Sequence, residues 1–403
     1  MWHPFKKKRV YLDYAAATPC AQEVSAAMRP FETHTFANAS GVHREGRLAR
    51  EALEAARARV AHTLKTVPHH VVFTSGGTES NNLAILGVVE KFREEGRAYE
   101  EMEIISTAIE HPSILEPLRL LEKKGVVVKY APVNSEGTIV RAPFRELLSE
   151  KTVLVTFAYA NSEIGTVQEV QALSRSVRLW RNEKKRSYPY VHIDACQASL
   201  WLPCKMDSLG VDMMSLDAGK CYGPKSVGVL ALRGDVSLSP LLRGGSQEGG
   251  LRPGTEHVGA AVGLAAAFVW AQEGWEVRAL KVAESREFFF EKLAAAFPGL
   301  VLNGSHEHRL PNNLNVAIPG LDGEYAVVGL DARGVACSTR SACKVNESTE
   351  EGGSHVLRAL NLPHDVVLGA IRFSLGEETT KAELFRAVIA LQDHARVATV
   401  EKL

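Results

Sequence analysis

At 403 residues the chain is longer than one hydrophobic core usually supports, so two domains are expected. Hydrophobic residues make up 45% and charged residues 23%, an ordinary composition for a soluble globular protein. The 47 Lys+Arg balance 47 Asp+Glu, and this zero net charge argues against nucleic acid or an anionic membrane as the main partner.

The chain opens on Met-Trp-His-Pro-Phe and a short basic cluster, Lys6 to Arg9, which reads as a solvated leader and lacks the apolar stretch of a secretory signal. No apolar run approaches the roughly 20 residues of a membrane span. Six cysteines (20, 196, 204, 221, 337 and 343) are too few and too dispersed for a disulfide framework, and the absence of a Cys-x-x-Cys pair argues against a zinc ribbon. A reducing, cytoplasmic setting is expected.

Arg44 to Lys65, rich in Ala, Leu, Arg and Glu at helical spacing, predicts a long amphipathic helix. Short β-rich runs follow at 71–74, 103–106, 126–130, 153–157, 190–193, 213–216 and 227–232. Helical stretches lie between several of them, around 81–94, 113–124 and 170–183. This alternation predicts an α/β fold with a mostly parallel sheet covered on both faces. After a Gly-rich segment, 243–254, a long helix is expected from about 258 to 272, continuing over 276–297. The stretch from 303 to 403 then mixes short strands and helices as a smaller α+β domain. Charged stretches at 181–186 and 344–351 read as exposed surface, the second as a loop.

In open α/β sheets ligands sit beyond the carboxyl ends of the strands. Val71–Thr74 runs into Ser75-Gly76-Gly77-Thr78-Glu79-Ser80, which is either a phosphate cradle at a helix start or an ordinary turn with Thr78 as N-cap. Asp194 ends an apolar strand, either as an Asx turn or as the carboxylate that a pyridine nitrogen needs; Gln197 follows three residues on. Lys220, in Asp217-Ala218-Gly219-Lys220, is either a surface residue or an amine for a Schiff base. His111, ahead of Pro112, is either a turn histidine or a ring-stacking proton carrier, and Asn161 a turn residue or a hydrogen-bond donor. Cys343 follows Arg340 and precedes the polar loop, a context that favours a reactive thiolate over an inert buried thiol. Arg372 sits inside an apolar run, where a carboxylate partner is expected.

Taken in order, these segments resemble the class I cysteine desulfurases, the NifS/IscS-type enzymes of fold type I that use pyridoxal 5'-phosphate (PLP). The likeness runs from Tyr11-Leu12-Asp13-Tyr14-Ala15 to Arg372-Phe373-Ser374-Leu375-Gly376. Between them lie Ser75–Ser80, Asn161-Ser162-Glu163-Ile164-Gly165, Asp194-Ala195-Cys196-Gln197, Tyr222-Gly223-Pro224-Lys225 and Ser341-Ala342-Cys343. The resemblance implies a large PLP-binding domain over 15–257 and a small domain from 1–14 with 258–403. It implies that Lys220 carries the cofactor, His111 stacks on its ring and Asp194 pairs with the pyridine nitrogen. Asn161 and Gln197 would reach the phenolic oxygen, and Gly77 and Thr78 the phosphate. Thr255 would reach the phosphate of a partner subunit in a homodimer. Asn38 and Arg372 would hold the carboxylate of L-cysteine, and Cys343 would take its sulfur for transfer to an acceptor protein of iron–sulfur cluster assembly or tRNA thiolation, leaving alanine.

Departures from the family pattern are Asp217 and Gly219, where a serine and a histidine usually contact the phosphate, with Arg252 or His257 as candidate replacements. Arg340 also replaces a usual glycine, and Ala39 a common proline. Two alternatives remain at this level: another class V aminotransferase-like enzyme, such as a selenocysteine lyase, or a noncatalytic sulfur-transfer scaffold.

Overall fold

A computed structural model describes residues 9–234, 236–339 and 353–400. Cys343 and Arg340 lie outside the described residues, as does the charged stretch 344–351.

In chain order the strands are β1 (Val10–Tyr11), β2 (Val71–Thr74), β3 (Glu103–Ser106), β4 (Val127–Tyr130), β5 (Thr152–Ala158), β6 (Tyr190–Asp194), β7 (Met213–Asp217), β8 (Gly228–Leu232), β9 (Val301–Leu302), β10 (Asn313–Ala317), β11 (Val335–Ala336) and β12 (Ala370–Ser374). Seven of them form the main sheet in the order β2-β8-β7-β6-β5-β3-β4. β8 is antiparallel to both of its neighbours, while the pairs among β3 to β7 are parallel. β2 therefore points the same way as β7, and only β8 runs against the rest.

The predicted strands match these elements to within a residue or so, because strands covered on both faces read as continuous apolar runs. Alternate side chains feed two cores. Phe73, Ile105, Val155 and Phe157 face one with Leu53 and Val60 of the Arg44–Leu64 helix. Val72, Ile104 and Leu154 face the other with Leu83 and Leu118. A third core, built around Phe289, Val316, Phe373 and Leu391, joins the small sheet β12-β10-β9 to the C-terminal helices. Phe289 meets Phe373 edge-on with ring centroids 5.1 Å apart, and full burial of such a ring contributes about 1.5–3 kcal/mol.

The N-terminal strand β1 pairs in parallel with β11, so the start of the chain joins its C-terminal part. The Val258–Glu273 helix contributes Val258, Leu264 and Phe268 to the first core and Ala267 and Ala271 to the third.

Within the 181–186 stretch residues 182–185 are exposed as expected, while its two ends are partly covered. Arg181 is largely buried against Asp212, its Nη1 donating to Oδ1 at 3.2 Å. A second buried pair fastens the Gly-rich segment to the sheet. The Arg57 guanidinium donates to both oxygens of Glu248 at 2.6 and 2.7 Å, and Phe73 N donates to the same carboxylate at 2.8 Å. Both side chains are under a tenth exposed.

Candidate active site

The carboxyl ends of β2, β3, β5, β6 and β7 converge on one cavity of about 270 Å³. Each strand delivers a residue to it at or just beyond its end: Gly77 after β2, His111 after β3, Asn161 after β5, Asp194 at the end of β6, and Asp217 and Lys220 at and after the end of β7. Thr78, Gln197 and Arg372 also line it. Nine residues singled out in the sequence from segments up to 295 positions apart (77 to 372) thus meet in one place.

Asp194 is held by two donors. Asn81 Nδ2 donates to Oδ2 at 2.8 Å, and Cys196 N to Oδ1 at 2.9 Å. The same Asn81 amide donates to Ser113 Oγ at 2.9 Å, and Ser113 Oγ lies 2.8 Å from His111 Nδ1. Ser113 N also donates to that nitrogen, at 3.1 Å, so Nδ1 acts as an acceptor. His111 is the N-cap of the Pro112–Lys123 helix, and capping fixes its ring. One asparagine therefore orients both the buried carboxylate and, through Ser113, the imidazole.

Beneath His111 lies Glu110, fully buried. Burial pushes its carboxyl up to about 8, against hydrogen bonds from Thr107 and Ala158 N that favour the charged form. His192, in β6 two residues before Asp194, is buried between Thr156 and Ser215, and burial pushes its imidazole down to about 4.

The Lys220 amine donates to Ala15 O at 3.0 Å and Ala16 O at 2.6 Å, and Gln197 Nε2 shares Ala15 O at 2.8 Å. Arg372, in β12, enters from the small sheet. Its Nη2 donates to Asp13 Oδ1 at 2.8 Å and its Nη1 to Ser162 O at 3.1 Å.

The Gly77–Glu94 helix starts at the cavity. Thr78 is not its N-cap; Gly76 is, at φ +148°, and it offers no capping side chain. The carboxylate of Asp217 serves instead, Oδ2 accepting from Gly77 N at 3.1 Å. Arg252 and His257 do not line the cavity. Arg252 Nε donates to Glu79 Oε1 at 3.1 Å, and His257 caps the Val258–Glu273 helix. Asn161 lines the cavity: its Oδ1 accepts from Glu163 N and Ile164 N of its own turn, and one Nδ2 hydrogen goes to Ile109 O, after β3. Asn38 and Thr255 are exposed and do not line the cavity; Asn38 Oδ1 accepts from Ser40 N at 2.8 Å.

Residues 10–386 match the family model Aminotransferase class-V. The chain belongs to the class-V aminotransferases. Among relatives of this class-V chain is cysteine desulfurase IscS of Dictyoglomus turgidum, 40% identical over 378 residues, which are 94% of this chain and 92% of that protein. Another is cysteine desulfurase IscS of Methanosarcina thermophila, 36% identical over 383 residues, covering 95% and 91%. Among solved structures, a NifS-like protein superposes with a TM-score of 0.88 at 33% identity, over 96% of this chain and all of that one. SspA in complex with cysteine gives 0.77 at 32%, over 92% of this chain and all of that one.

Sequence reading missed three residues that set the site of this class-V aminotransferase. Asn81 lies four residues after Gly77, one helical turn on, and that spacing was its only signal. Ser113 is placed by the His111 cap. Asp13 meets Arg372 across a separation of 359 residues, for which a single sequence carries no signal.

Proposed function

We propose that this chain is a PLP-dependent cysteine desulfurase, taking sulfur from L-cysteine and releasing L-alanine. The observation that carries the proposal is that the Lys220 amine, the Asp194 carboxylate, the His111 ring and the Arg372 guanidinium line one cavity. Relatives at 36–40% identity over more than nine-tenths of this chain carry the name cysteine desulfurase.

The residues present fit PLP at its ring and aldehyde. Asp194 would pair with the pyridine nitrogen, His111 would cover a ring face, and Lys220 would hold the aldehyde carbon. Asn161 and Gln197 flank the phenolic oxygen in this reading, and Gly77 and Thr78 the phosphate. A side chain at Gly77 would close the cradle, since a Cβ there would meet Cys196 Sγ at 2.5 Å. Two buried polar atoms of cavity-lining residues, Asn81 Oδ1 and Arg372 Nε, lack partners among the described residues, as expected where a polar ligand belongs. When bound, PLP supplies an electron sink for charge developing on the substrate carbon.

The chain's own groups do the rest. Arg372, steered by Asp13, takes the substrate carboxylate together with Asn38. Lys220 would hold and move protons at Nζ. Cys343 takes the sulfur as a persulfide for an acceptor protein of iron–sulfur cluster assembly or tRNA thiolation. A homodimer belongs to the proposal, with Thr255, exposed and away from its own cavity, reaching the partner's phosphate. So does the division into a large domain, 15–257, and a small one, 1–14 with 258–403, supported by the pairing of β1 with β11. The five cysteines within the described residues are free thiols, which suits a reducing cytoplasmic setting, and none of the described helices is long and apolar enough to cross a membrane.

The test is to assay alanine and protein persulfide from L-cysteine in wild type, Lys220→Ala and Cys343→Ala. Lys220→Ala is expected to abolish both products, and Cys343→Ala to abolish the persulfide. Full alanine output from Lys220→Ala overturns the assignment. Full persulfide transfer by Cys343→Ala moves the sulfur acceptor elsewhere and favours a different class-V activity.

A further inference from the structure

One end of the cavity already holds an anion that belongs to the chain. Asp217 ends β7 and turns its carboxylate toward the start of the Gly77–Glu94 helix, Oδ2 accepting from Gly77 N at 3.1 Å and Oδ1 from Gly219 N at 2.8 Å. A helix start presents unpaired N–H groups and partial positive charge, and it attracts one anion well. Gly77 and Thr78 are also the residues that the proposed function assigns to the cofactor phosphate. Two anions directed at the same donors repel, the more so in a partly buried cavity.

Local geometry holds Asp217 in this position. A Cβ at Gly219 would stand 3.1 Å from Asp217 Oδ1 and 3.0 Å from Lys225 Cδ, so the bare glycine leaves room for the folded-back carboxylate. Nearby cations are engaged elsewhere: Lys225 donates to Thr18 O and Arg252 to Glu79. Among the described residues Asp217 makes no ion pair; its carboxylate is held by the backbone donors Gly77 N and Gly219 N beside the seat.

We propose that Asp217 is a resident competitor for the phosphate seat, which weakens the chain's hold on PLP and narrows its preference for PLP over pyridoxal, the same ring without the phosphate. This inference rests on the PLP reading above. Ring, amine and carboxylate contacts are common to both compounds, so Asp217 acts on the phosphate alone.

The experiment titrates cofactor-free protein with PLP and, separately, with pyridoxal. Binding is read by absorbance and by borohydride-fixed label on Lys220, in wild type, Asp217→Ser and Asp217→Asn. Asp217→Asn keeps the shape and the acceptor oxygen while removing the charge, which guards against a folding defect in Asp217→Ser. Both variants are expected to bind PLP about tenfold more tightly than wild type, equivalent to about 1.4 kcal/mol, while pyridoxal shifts by less than about twofold. If PLP binds all three proteins equally, or the variants more weakly, the competitor role is overturned and the cofactor reading stands. If neither compound binds or labels any of the three, the cofactor reading fails and the competitor role with it.

Discussion

Asn81 donates to the Asp194 carboxylate at 2.8 Å from the second turn of the Gly77–Glu94 helix. Its second N–H goes to Ser113, which holds His111. This is a positioning residue, two bonds from any reacting atom. Asn81→Ala should leave Asp194 Oδ2 short of a donor and lower kcat by roughly tenfold, since a hydrogen bond to a charged group is worth about 1.5–3 kcal/mol. The distinguishing readout is the pH at which the absorbance of added PLP changes, which should move where Asp194 is the carboxylate paired with the ring nitrogen, as proposed above. A variant with lower kcat and an unmoved spectral titration would count against this role.

Arg372 is a fork whose Nη groups are engaged by Asp13 and Ser162 O, with Nε left over. Lysine keeps the charge and loses the planar fork. Arg372→Lys is expected to raise KM for L-cysteine by roughly tenfold to a hundredfold with little change in the cofactor spectrum. Steady-state kinetics at constant cofactor occupancy checks this, and an unchanged KM would remove Arg372 from substrate binding.

The Arg57–Glu248 pair predicts a large stability effect far from the chemistry. Glu248→Ala leaves the buried Arg57 guanidinium with only the half-exposed Glu54 at Nε and Val71 O at Nη1, and it removes the acceptor of Phe73 N. A loss of about 3–5 kcal/mol is expected in urea unfolding. Replacing both partners by apolar residues should cost much less, because no uncompensated charge remains. A loss below about 1 kcal/mol for Glu248→Ala would show that the pair is not buried in solution.

His192 gives a pH signature. Burial holds its folded pKa at about 4, so the unfolded chain takes up a proton near pH 6.5 while the folded one does not. The unfolded state therefore binds the extra proton between these values. This group's contribution is complete above pH 6.5 and is lost as pH falls toward 4, by about 3 kcal/mol in total. His192→Gln should make the acid limb of the stability curve shallower by close to one proton. An unchanged slope in urea midpoints between pH 6.5 and 4 would refute the assignment.

The central sheet was legible because strands such as Tyr190–Asp194 and Met213–Asp217 are buried on both faces and spell mostly apolar runs between turns, each ending in a carboxylate. Lys220, Asp194 and His111 were legible because each follows such a run at its carboxyl end, where this architecture collects ligands. What escaped is tertiary. The reversal of β8 leaves no mark on its composition. The Val258–Glu273 helix is apolar on every side, so its pattern cannot say which core it fills, and it fills two. Arg252 and His257 looked like replacement phosphate donors because sequence proximity does not reveal that Glu79 and Ala260 N already claim them. Asp217 was recognised as out of place, whereas its use as the missing cap of the Gly77–Glu94 helix required coordinates.

The stretch from Val10 to Thr18 is stitched to both sheets. Its strand β1 lies along β11, Asp13 grips the arginine of the small sheet, Ala15 and Ala16 take the lysine of the large one, and Thr18 bonds to Gly219 O. A short peptide thus works as a ruler laid between amine and guanidinium. Inserting a residue between Asp13 and Ala15 would lengthen that ruler without touching either cation.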